Sequence, residues 1–203
     1  MILKATILDR EVKNKIKSGQ DEFEFTSGVN ILVGNNGSGK STLIRTILDE
    51  FNRIKNKTND RKKLDLIANL DRTVMLYSPE QILKSMVDNT ADPTTINTIS
   101  ESQGGLLRLY LQSILPVDGN AIVFMDEPET GLSQQAIVTL CEEIRQKKNT
   151  QFIIASHNIF FWLLLGANII SLDQDKDYVK NSLLVLDSMV SSKLREISKD
   201  KPS

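Results

Sequence analysis

Eight consecutive residues, Gly34 to Ser41, constrain this chain more than any other segment, because they follow the pattern G-x-x-x-x-G-K-S. They lie between a compact apolar stretch, 29–33, and a longer stretch, 41–54, whose apolar residues have helical spacing. A glycine-rich turn between a strand and a helix lets backbone N–H groups close around phosphate oxygens, and the helix N-terminus adds positive potential. The segment therefore predicts a phosphate-binding loop in an α/β domain.

Two side chains at the end of this loop have specific predicted roles. The ammonium group of Lys40 is expected to reach the β- and γ-phosphates of a nucleotide, and the Ser41 hydroxyl to ligate Mg²⁺. The other residues expected to contact the nucleotide here are Gly34, Asn35, Asn36, Gly37, Ser38, Gly39 and Thr42.

Strand-like and helix-like patterns alternate along the chain. Strands are predicted at 2–8, 21–25, 29–33, 73–77, 121–125, 151–155 and 168–172, and helices at 41–54, 106–115, 133–147 and 181–199. The runs 121–125 and 151–155 are continuously apolar, which is typical of buried parallel strands. The order predicts an α/β fold with a mixed, mostly parallel sheet flanked by helices. We expect a single domain over 1–203, with a short helical or loop region at about 80–116.

Composition excludes several classes of protein. The net charge of −1 provides no global attraction to nucleic acid, and one cysteine, Cys141, excludes an internal disulfide framework. The longest apolar run, 159–165, is far shorter than the roughly 20 residues that span a bilayer. No secretory leader is visible. These features predict a cytoplasmic protein without a transmembrane segment.

Two adjacent carboxylates follow the apolar run 121–125. Asp126 is expected on the metal side of the nucleotide, where phosphate-loop enzymes generally place the aspartate of their second strand. Glu127 can polarise a water that lies in line with the γ-phosphate. Together with the glycine-rich loop, this pair predicts nucleotide hydrolysis rather than binding alone.

Three motifs, taken together, resemble the ABC-type ATPases. The run D-E-P-E-T-G-L at 126–132 resembles their Walker B and D-loop segment, and I-I-A-S-H at 153–157 resembles their switch-histidine strand. The run S-Q-G-G at 102–105 resembles their signature and precedes Asp126 by 24 positions. The resemblance is to the soluble SMC- and RecF-like kind, as a minimal head without a coiled coil.

The resemblance implies a homodimer with ATP and Mg²⁺ sandwiched at its interface. Ser102, Gly104 and Gly105 of one subunit would contact the nucleotide bound to the other. His157 would contact the γ-phosphate and hold the attacking water with Glu127. A glutamine after the 73–77 strand would touch Mg²⁺; its distance from the strand favours Glu80, whereas its residue type favours Gln81, which we prefer.

Two positions and one region depart from the family pattern. Gly105 stands where Gln or Glu is usual, and Ser133 stands where the D-loop usually ends in Asp. Both departures predict slow hydrolysis. The region 8–20 contains no aromatic residue to stack on adenine, so selectivity for the base stays open.

Two functions fit these features. The first is an ATP-driven dimerising switch or motor that acts on DNA or on a partner protein, such as an effector or nuclease, in DNA repair or defence. The second is the nucleotide-binding subunit of a membrane transporter. Such subunits usually have the stacking aromatic and a fuller L-S-G-G-Q signature, which this sequence lacks.

Other segments have a less specific pattern. Six basic residues opposed locally by Asp60 form either a DNA-binding patch or a solvated loop; they are Arg53, Lys55, Lys57, Arg61, Lys62 and Lys63. The C-terminal apolar stripe, from Leu183 to Ile197, is expected to dock within the chain or against a partner. Cys141 and the run 160–165, which belongs to a predicted helix after His157, are expected in the core.

Overall fold

The computed structural model describes residues 1–78, 111–112 and 119–199. Its strands are β1 (Ile2–Ile7), β2 (Glu22–Glu24), β3 (Val29–Val33), β4 (Leu64–Ala68), β5 (Thr73–Tyr77), β6 (Ala121–Asp126), β7 (Gln151–Ala155) and β8 (Asn168–Ser171). Its longer described helices are α1 (Arg10–Lys15), α2 (Lys40–Asn56), α3 (Gln134–Gln146), α4 (Ile159–Leu164) and α5 (Tyr178–Lys199).

The strands form two sheets. Five of them pair in the order β5-β6-β7-β3-β8, and every neighbouring pair is parallel. The other three pair antiparallel in the order β2-β1-β4. Because the carboxyl ends of parallel strands share one edge, the loops that follow β3, β6, β7 and β8 lie along the same edge of the larger sheet.

The larger sheet separates two apolar cores. Successive strand residues point to opposite faces, so Val123 packs on one side of β6 and Phe124 on the other. One core contains residues of α3 and α4, such as Leu140 and Trp162. The other contains α2 and the smaller sheet. Both faces of β6 and β7 are buried, which is why their sequences are continuously apolar.

The predicted parallel strands and the helices around 41–54 and 133–147 are confirmed, with ends that shift by a few residues. Two elements were missed. Helix α1 has six residues and is capped by Asp9, whose Oδ1 accepts the backbone N–H groups of Glu11 and Val12. Strand β4 gains its place only through pairing with β1. The antiparallel strands form a separate sheet rather than part of one mixed sheet.

The remaining segment predictions have different outcomes. Cys141 is buried, and Phe161, Trp162 and Leu165 of the 160–165 run belong to the core. The C-terminal stripe is not docked over its second half, because Val190, Leu194 and Ile197 of α5 are exposed. Across the ranges that the structure describes, no helix is long and apolar enough to cross a membrane.

Candidate nucleotide-binding site

The glycine-rich loop connects β3 to α2 in a conformation that only glycine adopts readily. Gly34, Gly37 and Gly39 have φ values of 144°, 77° and 101°. A Cβ atom on Gly39 would lie 2.5 Å from the carbonyl oxygen of Lys15, so the segment after α1 packs directly on the loop. The backbone N–H of Lys17 also donates to the carbonyl of Ser38 at 3.1 Å. The N-terminal segment thus supports the loop from one side.

Lys40 folds back over its own loop. Its side chain is buried, and Nζ donates to the carbonyl oxygens of Gly34 at 2.8 Å and Asn35 at 3.2 Å. Burial lowers the pKa of Lys40, while the carboxylates of Glu127 and Glu129 act in the opposite direction. The ammonium group is therefore held by carbonyl dipoles that an anionic phosphate can replace.

Ser41 and Asp126 are joined across the edge of the sheet. The Ser41 hydroxyl donates to Asp126 Oδ1 at 2.7 Å, and Arg45 lies 3.9 Å from Asp126 Oδ2. Burial raises the pKa of Asp126, and the bond from Ser41 partly offsets that rise. The hydroxyl and carboxylate oxygens suit Mg²⁺, which proteins commonly hold with one or two carboxylates and the substrate phosphates. No group of three or more His, Cys, Asp or Glu side chains in the described parts of the chain could cage a metal.

Glu127 occupies a strained position directly after β6. Its φ of 48° lies in the left-handed region, and its backbone N–H donates to the carbonyl of Ala155 in β7 at 2.9 Å. The residue lines a cleft of about 310 Å³ together with Gly39, Lys40 and Ser41. Other residues that line this cleft are Asn14, Lys15, Lys17, Gly37 and Thr42. The strained turn thus places a carboxylate opposite the phosphate loop.

His157 lies after β7 and contacts a carboxylate that the sequence analysis did not assign. Its Nδ1 is 3.2 Å from Oε1 of Glu129, which is buried. The same Oε1 accepts the Ser156 hydroxyl at 2.8 Å and the backbone N–H of His157 at 3.1 Å. The position of Glu129 within the 126–132 run was the signal that could have identified it.

Asp173, after β8, is a second residue that was missed. Its Oδ2 accepts the backbone N–H of Asn35 in the phosphate loop at 2.9 Å, and this bond lowers the pKa of Asp173. The two residues are 138 positions apart, so no local pattern connects them. Asp173 therefore anchors the start of the loop, and it lines a cleft together with Lys17.

The described edge brings together the predicted loop residues from Gly34 to Thr42, along with Asp126, Glu127 and His157. Several predicted site residues lie outside the described residues; these are Glu80, Gln81, Ser102, Gly104 and Gly105. Ser133 is the N-cap of α3, and its hydroxyl accepts the backbone N–H of Ala136 at 3.2 Å. This cap gives a structural reason for serine at the end of the D-loop-like run.

The basic segment, Arg53 to Lys63, differs from its sequence expectation. The carboxylates of Glu50, Asp9, Asp49 and Asp65 pair with Arg53, Arg61, Lys63 and Lys62, respectively. Asp60 is the acid within this segment, but folding brings four more carboxylates to its cations. Four of the six cations are matched by acids from neighbouring turns and elements, which weakens the case for a DNA-binding patch.

The parallel sheet, the phosphate loop and the carboxylates beyond β6 define an ABC-type P-loop ATPase fold. Residues 48–163 match the family described as "AAA domain, putative AbiEii toxin, Type IV TA system", and the chain belongs to this family. The matched region begins after the phosphate loop and includes Asp126, Glu127, Glu129 and His157.

Two curated proteins are similar in sequence. A probable metal transport system ATP-binding protein of Thermotoga maritima is 25% identical over 176 residues, covering 75% of this chain and 71% of that protein. The galactose/methyl galactoside import ATP-binding protein MglA of Treponema denticola is 27% identical over 189 residues, covering 72% of this chain. The match spans only 37% of the length of MglA.

Solved structures of similar shape include the SMC head domain from Thermotoga maritima. It has a TM-score of 0.49 and 17% identity, and the match covers 84% of this chain and 94% of that one. The dimeric structure of MJ0796, a bacterial ABC transporter cassette, has a TM-score of 0.41 and 11% identity, covering 76% of this chain and 86% of that one.

Proposed function

We propose that this protein binds and hydrolyses Mg-ATP in the cytoplasm as a dimerising switch that acts on DNA or on a partner protein. One observation carries the proposal. Lys40, Ser41 and Glu127 line a single cleft, and the Ser41 hydroxyl is bonded to Asp126. The cleft thus combines a cation that can bind phosphate, oxygen atoms that can ligate Mg²⁺ and a carboxylate that can orient water.

The proposed reaction is the in-line attack of water on the γ-phosphate. Glu127 orients the water and accepts its proton. Lys40 exchanges its loop carbonyls for phosphate oxygens, and the loop N–H groups stabilise the negative charge that develops. Ser41 and Asp126 would hold Mg²⁺, which neutralises charge on the phosphates when bound. His157 would contact the γ-phosphate and hold the attacking water together with Glu127.

The proposed output is a cycle of dimer closure and opening. ATP would join two subunits, with Ser102, Gly104 and Gly105 of each contacting the nucleotide of the other. Release of phosphate would remove the anion that these groups share and let the dimer open. This part of the proposal rests on the resemblance to ABC-type ATPases, whose motifs occur in the same order along this chain.

Turnover and assembly should be measured together. We expect Mg-dependent ATP hydrolysis by the wild-type protein and a loss of roughly 100- to 10,000-fold in kcat for Glu127→Gln. Light scattering should detect an ATP-dependent dimer of this variant. The matched control is Glu142→Gln, an exposed glutamate on α3, which should keep wild-type turnover. A Glu127→Gln protein that hydrolyses ATP normally would contradict the assigned role, and one that stays monomeric with ATP would contradict the switch.

The alternative function is that of a nucleotide-binding subunit in a membrane transporter. It is favoured by the two curated relatives, whose names describe metal transport and galactose import. The lack of an aromatic residue in 8–20 supports the first proposal instead. Turnover measured with and without duplex DNA, and affinity purification from the native cell, separate the two. Co-purification of a polytopic membrane protein would favour the transporter.

A further inference from the structure

We propose that Glu129 is a positioning residue that holds His157 with its Nδ1 edge against a buried carboxylate and its Nε2 edge free for the nucleotide. The inference rests on the proposed function, because it assigns His157 to the γ-phosphate. It goes further in naming the group that orients the ring and in specifying which ring nitrogen is left for the phosphate.

Glu129 connects the two loops that follow the neighbouring strands β6 and β7. Asp126 at the end of β6 is in register with Ala155 at the end of β7. Glu129 lies three positions beyond the first and His157 two positions beyond the second. Oε1 of Glu129 faces three donors of the second loop, which are the Ser156 hydroxyl, the His157 backbone N–H and His157 Nδ1. The carboxylate therefore fixes both the backbone and the ring of the switch residue.

The contact also selects the protonation pattern of the ring. A carboxylate only accepts hydrogen bonds, so the nitrogen 3.2 Å from it must carry the proton. A neutral ring then has its lone pair on Nε2, and a protonated ring presents an Nε2–H donor. In both forms Nδ1–H keeps Glu129 as its partner, and Nε2 is the nitrogen left for the nucleotide.

Burial indicates that the negative charge of Glu129 has a role beyond joining the loops. The Glu129 side chain is 6% exposed, whereas that of His157 is 51% exposed. Oε2 of Glu129 is buried and has no hydrogen-bond partner among the described residues. A buried carboxylate oxygen without a partner is costly, and a neutral glutamine could accept the same backbone and hydroxyl donors. The His157 ring, whose Nδ1 lies 3.2 Å from Oε1, is the group that this carboxylate orients.

Nitrogen NMR on the full chain tests the ring directly. His157 is the only histidine, so ¹⁵N-histidine labelling gives one pair of ring signals without assignment. We expect the neutral wild-type ring to carry its proton on Nδ1, opposite to the Nε2–H form that free histidine prefers. An Nε2–H ring in the wild-type protein would overturn the proposal, whether or not any variant folds and whether or not ATP is hydrolysed.

Kinetics of Glu129→Gln test the functional consequence. We expect kcat to fall by about 10- to 100-fold while KM for ATP changes less than about twofold, because the ring is misplaced but the phosphate loop is intact. In a His157→Ala background the same substitution should have almost no further effect. Ser156→Ala removes another donor to the same oxygen and serves as the control, with the Nδ1–H ring and most of kcat retained.

The outcomes separate the two proposals. An equal loss of kcat from Glu129→Gln with and without His157 would mean that the carboxylate acts only as a structural joint, which overturns this inference. A wild-type protein that binds ATP without hydrolysing it would contradict the proposed function, and the NMR result would still decide how Glu129 and His157 interact.

Discussion

Two charged regions of this protein look similarly promising in the sequence but differ in the structure. At the nucleotide-binding edge, Lys40, Asp126 and Glu129 are buried. In the basic segment from Arg53 to Lys63, the cations are mostly exposed, and four of them pair with carboxylates, of which Glu50 and Asp9 are buried. Exposed ion pairs contribute little to stability, and a cation that is already paired attracts other anions weakly. Burial, in contrast, shifts the pKa of a charged group and makes its charge costly to retain.

The comparison teaches that a buried cation, rather than the number of cations, distinguishes the nucleotide-binding edge, since Lys40 is buried and no cation of the basic segment is. The basic segment has more cations than the nucleotide-binding edge, yet folding brings acids to most of them. Lys40, Asp126 and Glu129 of the edge are only 4%, 8% and 8% exposed, respectively. The following substitutions test this contrast, in order of the expected size of the effect.

The largest effect should come from Lys40→Ala. We expect ATP affinity to fall about 100-fold or more, because at least one charge-assisted bond to phosphate, worth up to about 3 kcal/mol, is lost in a buried setting. Lys55→Ala is the matched control, since it removes an exposed lysine of the basic segment. Calorimetric titration with ATP should show wild-type affinity for the control. Equal losses in both variants would contradict the contrast.

A smaller effect on stability should separate two glycines of the loop. Gly39→Ala places Cβ 2.5 Å from the carbonyl of Lys15, whereas Gly37→Ala meets nothing within 4 Å. Both positions have positive φ, so both variants pay a backbone cost of about 1 kcal/mol, and Gly39→Ala loses roughly 2 kcal/mol more by displacing the segment after α1. Urea unfolding without nucleotide measures both; equal losses would show that the segment does not support the loop.

Asp126→Asn should stabilise the nucleotide-free protein while removing a metal ligand. Burial raises the pKa of Asp126 from its ordinary value of 3.8, so the folded state binds its proton more tightly than the unfolded state. This carboxyl therefore favours folding below about pH 3.8 and loses that contribution as pH rises through its folded pKa. At pH 7 in EDTA, we expect the variant to melt about 2–4 °C higher, a gain of about 1 kcal/mol.

The control for this prediction is Asp49→Asn, because Asp49 is an exposed aspartate that pairs with Lys63 of the basic segment. It should leave the melting temperature nearly unchanged. The advantage of Asp126→Asn should also shrink as the pH is lowered towards 4, because the wild-type carboxyl becomes neutral. A destabilised Asp126→Asn protein at pH 7 would mean that the bond from Ser41 outweighs the cost of burial.

The smallest effect is expected in the basic segment. Replacing Lys55 and Lys57 with alanine should not change binding of duplex DNA or its dependence on salt, measured by fluorescence anisotropy. If these lysines contacted two phosphates, the slope of log affinity against log salt would become less steep by about 2. That result would establish the segment as a nucleic-acid interface despite its ion pairs.

Local patterns were sufficient wherever one short segment contains the whole signal. The phosphate loop from Gly34 to Ser41 and the apolar strands β6 and β7 have the predicted positions. Helix α1 escaped because it is six residues long and depends on one cap at Asp9. Strand β4 escaped because its edge position depends on β1, which is far away in the chain.

The sequence by itself determined the class of fold and the position of the phosphate loop, because glycine conformation, strand burial and the order of motifs are local properties. Only the tertiary structure decided which distant groups support them. Asp173 reaches Asn35 across 138 positions, and Glu129 reaches His157 across 28. It also brought Asp9 to Arg61. These pairings follow from sheet order and chain packing, which bring together side chains that no short stretch of sequence connects.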